Sequence, residues 1–117
     1  LLVSRHAAPG VITYQEAIAE HTDAQVIVNT TPVGMYPDND SSPLDLIPFA
    51  ACHSVVDVVY NPTVTAIVAQ ARELGKKGIT GLEMLVAQAL YAIEFFLDTS
   101  LEEEKIQEVY EELLKQF

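Results

Sequence analysis

The chain has 117 residues, half of them apolar, with no tryptophan and one cysteine; that length and apolar content give one domain with a modest core and exclude disorder. The net charge is −11 and there are six Lys and Arg in all, which excludes the basic patch that nucleic acid requires. No apolar run approaches the roughly eighteen residues of a membrane span, no basic-then-apolar signal pattern opens the sequence, and the lone Cys52 rules out an internal disulfide and fits a reducing cytoplasm.

Leu1 to Val3 predicts a short strand that ends at Ser4-Arg5, followed by turn chemistry at Pro9-Gly10. Val11 to Tyr14 is β-rich, and Gln15 to His21 predicts a short helix with Ala17 and Ile18 turned inward. Ala24 to Asn29 (AQVIVN) predicts a buried strand from its β-branched content. Residues 30 to 43 are rich in Thr, Pro, Gly, Asn, Asp and Ser and predict a long loop. Leu44 to Phe49 predicts a helical turn, and Ser54 to Tyr60 a second buried strand. Asn61-Pro62 suits a helix start, with Asn as N-cap and Pro at the first helical position. Val64, Ile67, Val68, Ala71 and Leu74 follow helical spacing. Gly75 is a natural C′ residue, and Lys76 and Lys77 sit well beyond a helix C-terminus.

Ile79-Thr80 predicts a short strand. Leu82 to Leu97 predicts a long helix, apolar nearly all round, which implies burial on several sides. Ser100 with Glu103 has capping-box spacing. Ile106, Val109, Tyr110, Leu113, Leu114 and Phe117 form one apolar stripe, so residues 101 to 117 predict a terminal amphipathic helix packed on the sheet. Alternating near-continuous apolar strands and helices argue for an α/β fold with a parallel sheet. One stretch conflicts: a parallel crossover normally takes a dozen residues or more, and five separate Arg5 from Val11. Either those strands are not parallel neighbours or a crossover helix is missing.

Several polar residues stand out. Tyr60-Asn61 closes the apolar run Val55 to Pro62; a core tyrosine whose hydroxyl reaches water is the alternative for Tyr60. Gln88 offers one amide among Leu85, Val86, Ala89 and Leu90, where an unpaired amide is costly; a solvent-facing glutamine is the alternative. Thr30, Thr31 and Gly34 follow a strand, where loops at carboxyl ends line the ligand crevice of α/β sheets; a plain turn is the alternative. Asp57 lies inside an apolar run and reads as a cap for neighbouring N–H groups. His6, His21 and His53 show no metal-ligand spacing, and Cys52 has no basic neighbour to activate it.

Four blocks resemble the C-terminal, nucleotide-binding half of shikimate dehydrogenases. Val28 to Pro37 (VNTTPVGMYP) is similar to the family's Asn-Ala/Thr-Thr-Pro-x-Gly-Met loop. Val56 to Pro62 (VDVVYNP), with Thr65, is similar to its late strand and helix start, and Gly81 to Ala89 (GLEMLVAQA) to its Gly-Leu-x-Met-Leu-Val-x-Gln-Ala helix. Val3 to His6 (VSRH) resembles its Asn-Arg-Thr strand end more loosely. The resemblance implies a Rossmann-like parallel sheet with helices on both faces, incomplete at its first strand-helix unit. Residues 1–117 then form part of an NADP-binding domain, a fragment without the glycine-rich phosphate loop or the N-terminal catalytic domain.

The resemblance implies that the intact protein reduces 3-dehydroshikimate to shikimate reversibly with NADP, in the cytoplasm, and that this fragment alone is inactive. It implies cofactor contacts at Arg5, Thr30, Thr31, Gly34, Val58 and Gly81, with Arg5 on adenine and the 2′-phosphate, though a surface arginine is the alternative. It implies substrate contacts at Tyr60 and Gln88, with Met84 one turn before Gln88. No catalytic residue and no metal is assigned to this stretch. Implied partners are the small-molecule substrate and the missing domain, with no nucleic acid and no membrane. The open sheet invites association, so a homodimer is allowed for. The alternative function is a non-catalytic α/β module that keeps only the fold.

Overall fold

The structure, a computed structural model, describes residues 1 to 116. The elements run β1 (Leu2–Ser4), β2 (Val11–Thr13), α1 (Tyr14–Glu20), β3 (Val26–Asn29), β4 (Ser54–Asp57), α2 (Ala66–Glu73), β5 (Lys77–Ile79), α3 (Gly81–Leu97) and α4 (Glu104–Leu114). All named strand pairs are parallel, in a two-stranded sheet β1-β2 and a three-stranded sheet β3-β4-β5. The predicted α/β class holds, but among the described residues the strands form two small sheets.

β1 and β2 are parallel neighbours, Leu2 opposite Val11 and Ser4 opposite Thr13, with no helix between them. Three residues of strand cover about 10 Å. The linking residues, 5 to 10, reach about 20 Å, enough to return the chain to the start of so short a strand. Thr13 then caps α1, its hydroxyl accepting from the Glu16 N–H at 3.2 Å. Ala17 is buried as expected, whereas Ile18 is exposed.

The main core lies on β4. Leu46, Phe49, Cys52, Val55, Ile67, Val68 and Ala71 close into one buried cluster. Leu46, Phe49 and Cys52 come from residues 44 to 53, of which Leu44 to Phe49 was predicted as a helical turn. That stretch forms hydrogen-bonded turns rather than a helix. α2 and the segment after it hold it down. Gln70 accepts from the Leu46 N–H at 3.0 Å and donates to Asp45 at 2.7 Å. The Lys76 ammonium donates to the carbonyls of Phe49 and Cys52 at 3.0 and 2.7 Å. Lys76 thus binds loop carbonyls across the core.

Two helix starts differ from the sequence reading. α2 begins at Ala66 with Thr65 as N-cap, beyond Pro62. The Asn61 carbonyl is engaged by the Tyr36 N–H at 2.8 Å, so Asn61 serves an inter-loop contact and not a cap. The predicted C-terminal end of α2 holds, with Gly75 at φ +75°. α4 begins without a capping box, with Glu103 at the N-cap position. The Leu101 N–H is taken by the Glu94 side chain of α3 at 2.6 Å. The capping box occurs instead at Thr80-Glu83, where α3 starts.

Two burial expectations are also corrected. β3 is half exposed, with Val26 and Val28 open, because only β4 pairs with it in the described sheet. α3 buries only Gly81, Leu82 and Val86. Its apolar far end, Tyr91, Phe95, Phe96 and Leu97, is exposed. α4 packs on α3, not on the sheet: Ile106, Val109, Tyr110 and Leu113 meet Leu82, Val86 and Leu90. Phe117, the last residue of the predicted stripe, lies outside the described residues. The Cα radius of gyration is 15.9 Å, against roughly 13 Å for a compact domain of about this length. The excess reflects two separate apolar clusters. No described helix is long and apolar enough to cross a membrane.

Candidate functional site

β3 and β4 end in the same way. At the end of β3, Asn29 Oδ1 accepts from the Thr31 N–H at 3.1 Å. At the end of β4, Asp57 Oδ1 accepts from the Val59 N–H at 3.0 Å. Each is a side chain turning the backbone two residues on. Each stops the ladder there, which is why β4 ends at Asp57 and not at the predicted Tyr60. Asn29 and Asp57 are direct partners in the parallel register, so both strands release their chains at one level.

The two released segments enclose a cleft of about 490 Å³ lined by Thr30, Thr31, Pro32, Met35, Tyr36, Val58, Val59, Tyr60 and Asn61. It sits at the carboxyl ends of parallel strands, where α/β sheets bind ligands. The Tyr36 N–H to Asn61 carbonyl bond closes its rim. Four of the residues singled out in the sequence meet here: Thr30, Thr31, Val58 and Tyr60. Tyr60 is half exposed, its ring available to a ligand. Thr31 is less available. Its hydroxyl donates to Asn29 Oδ1 at 2.7 Å and accepts from the Val33 N–H at 3.2 Å.

Gly34 and Gly81 have structural reasons for being glycine. Gly34 has φ +97°, and a Cβ there would lie 2.9 Å from the Ser41 carbonyl. It closes the loop behind the cleft and does not line it. A Cβ on Gly81 would lie 2.5 Å from the Val59 carbonyl and 2.6 Å from that of Val58. The first turn of α3 is therefore seated directly on the backbone that forms one wall of the cleft. Arg5 follows β1 on an exposed bend, and Gln88 is exposed two turns along α3; neither lines the cleft. Tyr60 and Gln88 thus do not meet in this cavity. Gln88 is not a buried unpaired amide either, because the neighbouring Leu85 and Ala89 are themselves exposed.

Asp57, read from sequence as a structural cap, is fully buried and has three donors: Val59 N–H, Asn29 Nδ2 at 3.1 Å and the Thr65 hydroxyl at 2.7 Å. The roles of Asn29 and Thr65 were not anticipated. The signal for Asn29 was the recurrence of a polar residue at the last position of two apolar strands, VIVN and SVVD; Thr65, the N-cap of α2, shares no such pattern. A second cavity of about 490 Å³ separates β1 from β3. Leu2, Val3, Val26 and Val28 line it from two strand edges, so it is a packing gap between sheets. One carboxyl and one ammonium group outside the cleft have displaced pKa values. The Ile47 N–H and then the Gln70 amide hold Asp45 below its usual value. Hydrogen bonding to Glu108, with its charge, raises Lys105. No group of His, Cys, Asp and Glu suited to a metal occurs among the described residues.

No family model matches the chain. The shikimate dehydrogenase (NADP(+)) of Bacillus subtilis (strain 168) is 41% identical over 92 residues, which is 79% of this chain and 32% of that protein. The shikimate dehydrogenase (NADP(+)) of Clostridium beijerinckii is 36% identical over 98 residues, 84% of this chain and 36% of that protein. A chorismate mutase/shikimate 5-dehydrogenase fusion protein from Clostridium acetobutylicum matches with TM-score 0.79 and 39% identity, covering 97% of this chain and 43% of that one. The shikimate 5-dehydrogenase of Thermus thermophilus, solved in complex with NADP(H) and shikimate, matches with TM-score 0.66 and 28% identity, covering 88% and 38%. The chain spans about a third of the length of these curated relatives. The similarity runs over most of the chain, and the fold is that of the relatives' Rossmann-like domain: this chain belongs to the shikimate dehydrogenase family.

Proposed function

We propose that residues 1–117 form part of the NADP-binding domain of a shikimate dehydrogenase and supply one wall of its active site. The observation that carries this reading is the cleft at the carboxyl ends of β3 and β4, which gathers Thr30, Thr31, Val58 and Tyr60. The donor set suits the nicotinamide end of such a cofactor. Val58 offers an apolar surface for a flat ring, Thr30 offers a hydroxyl, and Tyr60 stands at the mouth to meet the substrate. When bound, the cofactor supplies the hydride exchanged with the carbonyl carbon of 3-dehydroshikimate. The chain's own task is to orient the ring and exclude water from one side. Proton delivery is assigned to groups outside this chain, since the Tyr60 and Tyr36 phenols are the only titratable side chains among the described residues that line the cleft.

Arg5 follows β1, where a guanidinium fork can take the 2′-phosphate that distinguishes NADP from NAD. Gln88 reaches substrate from α3 only if that helix faces a second wall supplied by a longer protein. A nuclear magnetic resonance titration of the 117-residue chain tests the reading. NADP is expected to move the amides of Thr30, Thr31, Val58 and Tyr60, NAD to do so more weakly, and Arg5→Ala to remove the difference. No response at those amides would overturn it. Mixing the chain with shikimate and NADP is expected to give no turnover, and turnover by this chain alone would refute the division of labour between the walls.

A further inference from the structure

We propose that Asp57 is a positioning residue that acts through Asn29 to hold the two walls of the cleft in register. The inference rests on the reading of that cleft as a ligand site. The fully buried carboxylate joins three separate chain segments: the end of β3 through Asn29, the exit of its own strand through Val59, and the N-cap of α2 through Thr65. All three of these partners are neutral donors, which an acceptor-only group satisfies without rearrangement.

Asn29 is the other half of the joint. It is 4% exposed, and its Nδ2 donates both to Asp57 and to the Val33 carbonyl at 3.2 Å. Its Oδ1 accepts from both the N–H and the hydroxyl of Thr31. Two amide hydrogens and two lone pairs are thereby engaged, which is the full capacity of the side chain. One wall of the cleft, residues 30 to 36, is thus anchored to Asn29, and the other, residues 58 to 61, is anchored to Asp57. The Asn29–Asp57 bond couples them at the strand ends, and the Tyr36 N–H to Asn61 carbonyl bond couples them again at the rim. The Thr31 hydroxyl is committed within its loop, so of the two threonines Thr30 is the one left to donate to a ligand.

Three variants of the 117-residue chain test this. Asp57→Asn keeps Oδ1 for Val59 and Asn29 and turns an NH₂ toward Thr65, whose hydroxyl can rotate to accept. It is expected to leave the cleft amide spectrum close to that of the parent chain. Asn29→Ala is expected to shift the amides of Val59 and Tyr60, across the joint, as well as those of Thr31 and Val33. Asp57→Ala is expected to do the converse. In NADP titrations the first variant is expected to keep the parent Kd. The other two are expected to weaken it at least about tenfold, the loss that goes with removing a buried hydrogen-bond partner, while remaining folded. Asn29→Ala changes confined to residues 30 to 36, with unchanged Val59 and Tyr60 amides, would overturn the proposal even if Tm fell. If the parent chain ignores NADP, the ligand reading fails. The amide shifts across the joint still decide whether the two walls are coupled. If Asp57→Ala does not fold, Asn29→Ala and Asp57→Asn decide alone.

Discussion

The unit built from β3, β4, α2 and β5 and the pair α3–α4 are both made of apolar elements, and they complete their burial differently. In the first, seven side chains close into one cluster, and the buried Asp57, Asn29 and Thr65 are hydrogen-bonded. In the second, only Gly81, Leu82, Val86 and Tyr110 are buried, and Phe95 and Phe96 stand 84% and 81% exposed. Apolar content alone therefore does not decide what is inside. A face is buried where the chain supplies a complementary surface, and exposed apolar patches mark surfaces left for a partner. The cleft lies where the closed unit meets the start of α3. Its walls are fixed because they belong to the first region, and Gly81 is the contact through which the second is attached.

The contrast can be broken most severely in the closed unit. Ile67→Ala removes a side chain that is 1% exposed within the main cluster. Large-to-small changes at such sites cost about 2–5 kcal/mol, so thermal or urea unfolding is expected to show a loss in that range. A loss below about 0.5 kcal/mol, the level of ordinary surface substitutions, would show that the cluster is not the stabilising core.

The next effect concerns the attachment. In Gly81→Ala the new methyl would lie 2.5 Å from the Val59 carbonyl, and both groups are held by backbone. The expected cost is about 1–3 kcal/mol, the range of overpacking. Part of it should be local: hydrogen exchange is expected to speed up in α3 and α4 and in Val58 to Tyr60, but not in α2. Uniform acceleration through the closed unit would mean that the two regions do not separate in this way.

At the exposed end of α3 the expectation reverses. Phe96→Glu should change unfolding free energy by no more than about 0.5 kcal/mol, as a surface change does. It should also lower self-association of the chain in light scattering. A large loss of stability would show that Phe96 is covered within the monomer.

The elements whose signal is local were legible in the sequence. The parallel α/β class, β4's apolar run, the inward Ile67, Val68 and Ala71 of α2 and the Gly75 stop follow from side-chain pattern over a few residues, while Val64 and Leu74 of the same series are exposed. Thr30, Thr31 and Tyr60 stand out from the same pattern at the ends of buried strands, whereas Val58 came only from the family resemblance; all four line the cleft. What was not legible depends on long-range partners. Asn61 looked like a cap until the Tyr36 N–H claimed its carbonyl. Ser100 lost its place to the Glu94 side chain reaching from α3. The burial of α3 was overestimated because a helix that is apolar nearly all round states a need for a partner, not the partner's presence. The Asn29–Asp57 bond has no local signal because the two residues are 28 positions apart, and only the strand register brings them together.

The smallest expected effect lies at the rim of the closed unit. Asp45 is fully exposed, yet its carboxylate is held below its ordinary value of 3.8, chiefly by the Ile47 N–H and then by the Gln70 amide. Because the folded value is depressed, the stabilisation is present above 3.8 and is lost as pH falls through the folded value. Asp45→Asn should therefore lower Tm slightly at neutral pH and have a diminishing effect in acid, where the parent carboxyl is already protonated. The amide of Leu46, which donates to the same Gln70 side chain at 3.0 Å, is the local reporter. It should titrate with Asp45 in the parent chain and lose that titration in the variant. If the Leu46 amide keeps its acid titration in Asp45→Asn, the loop over the core is held by some other acid. In that case the Asp45–Gln70 contact does not fasten the rim.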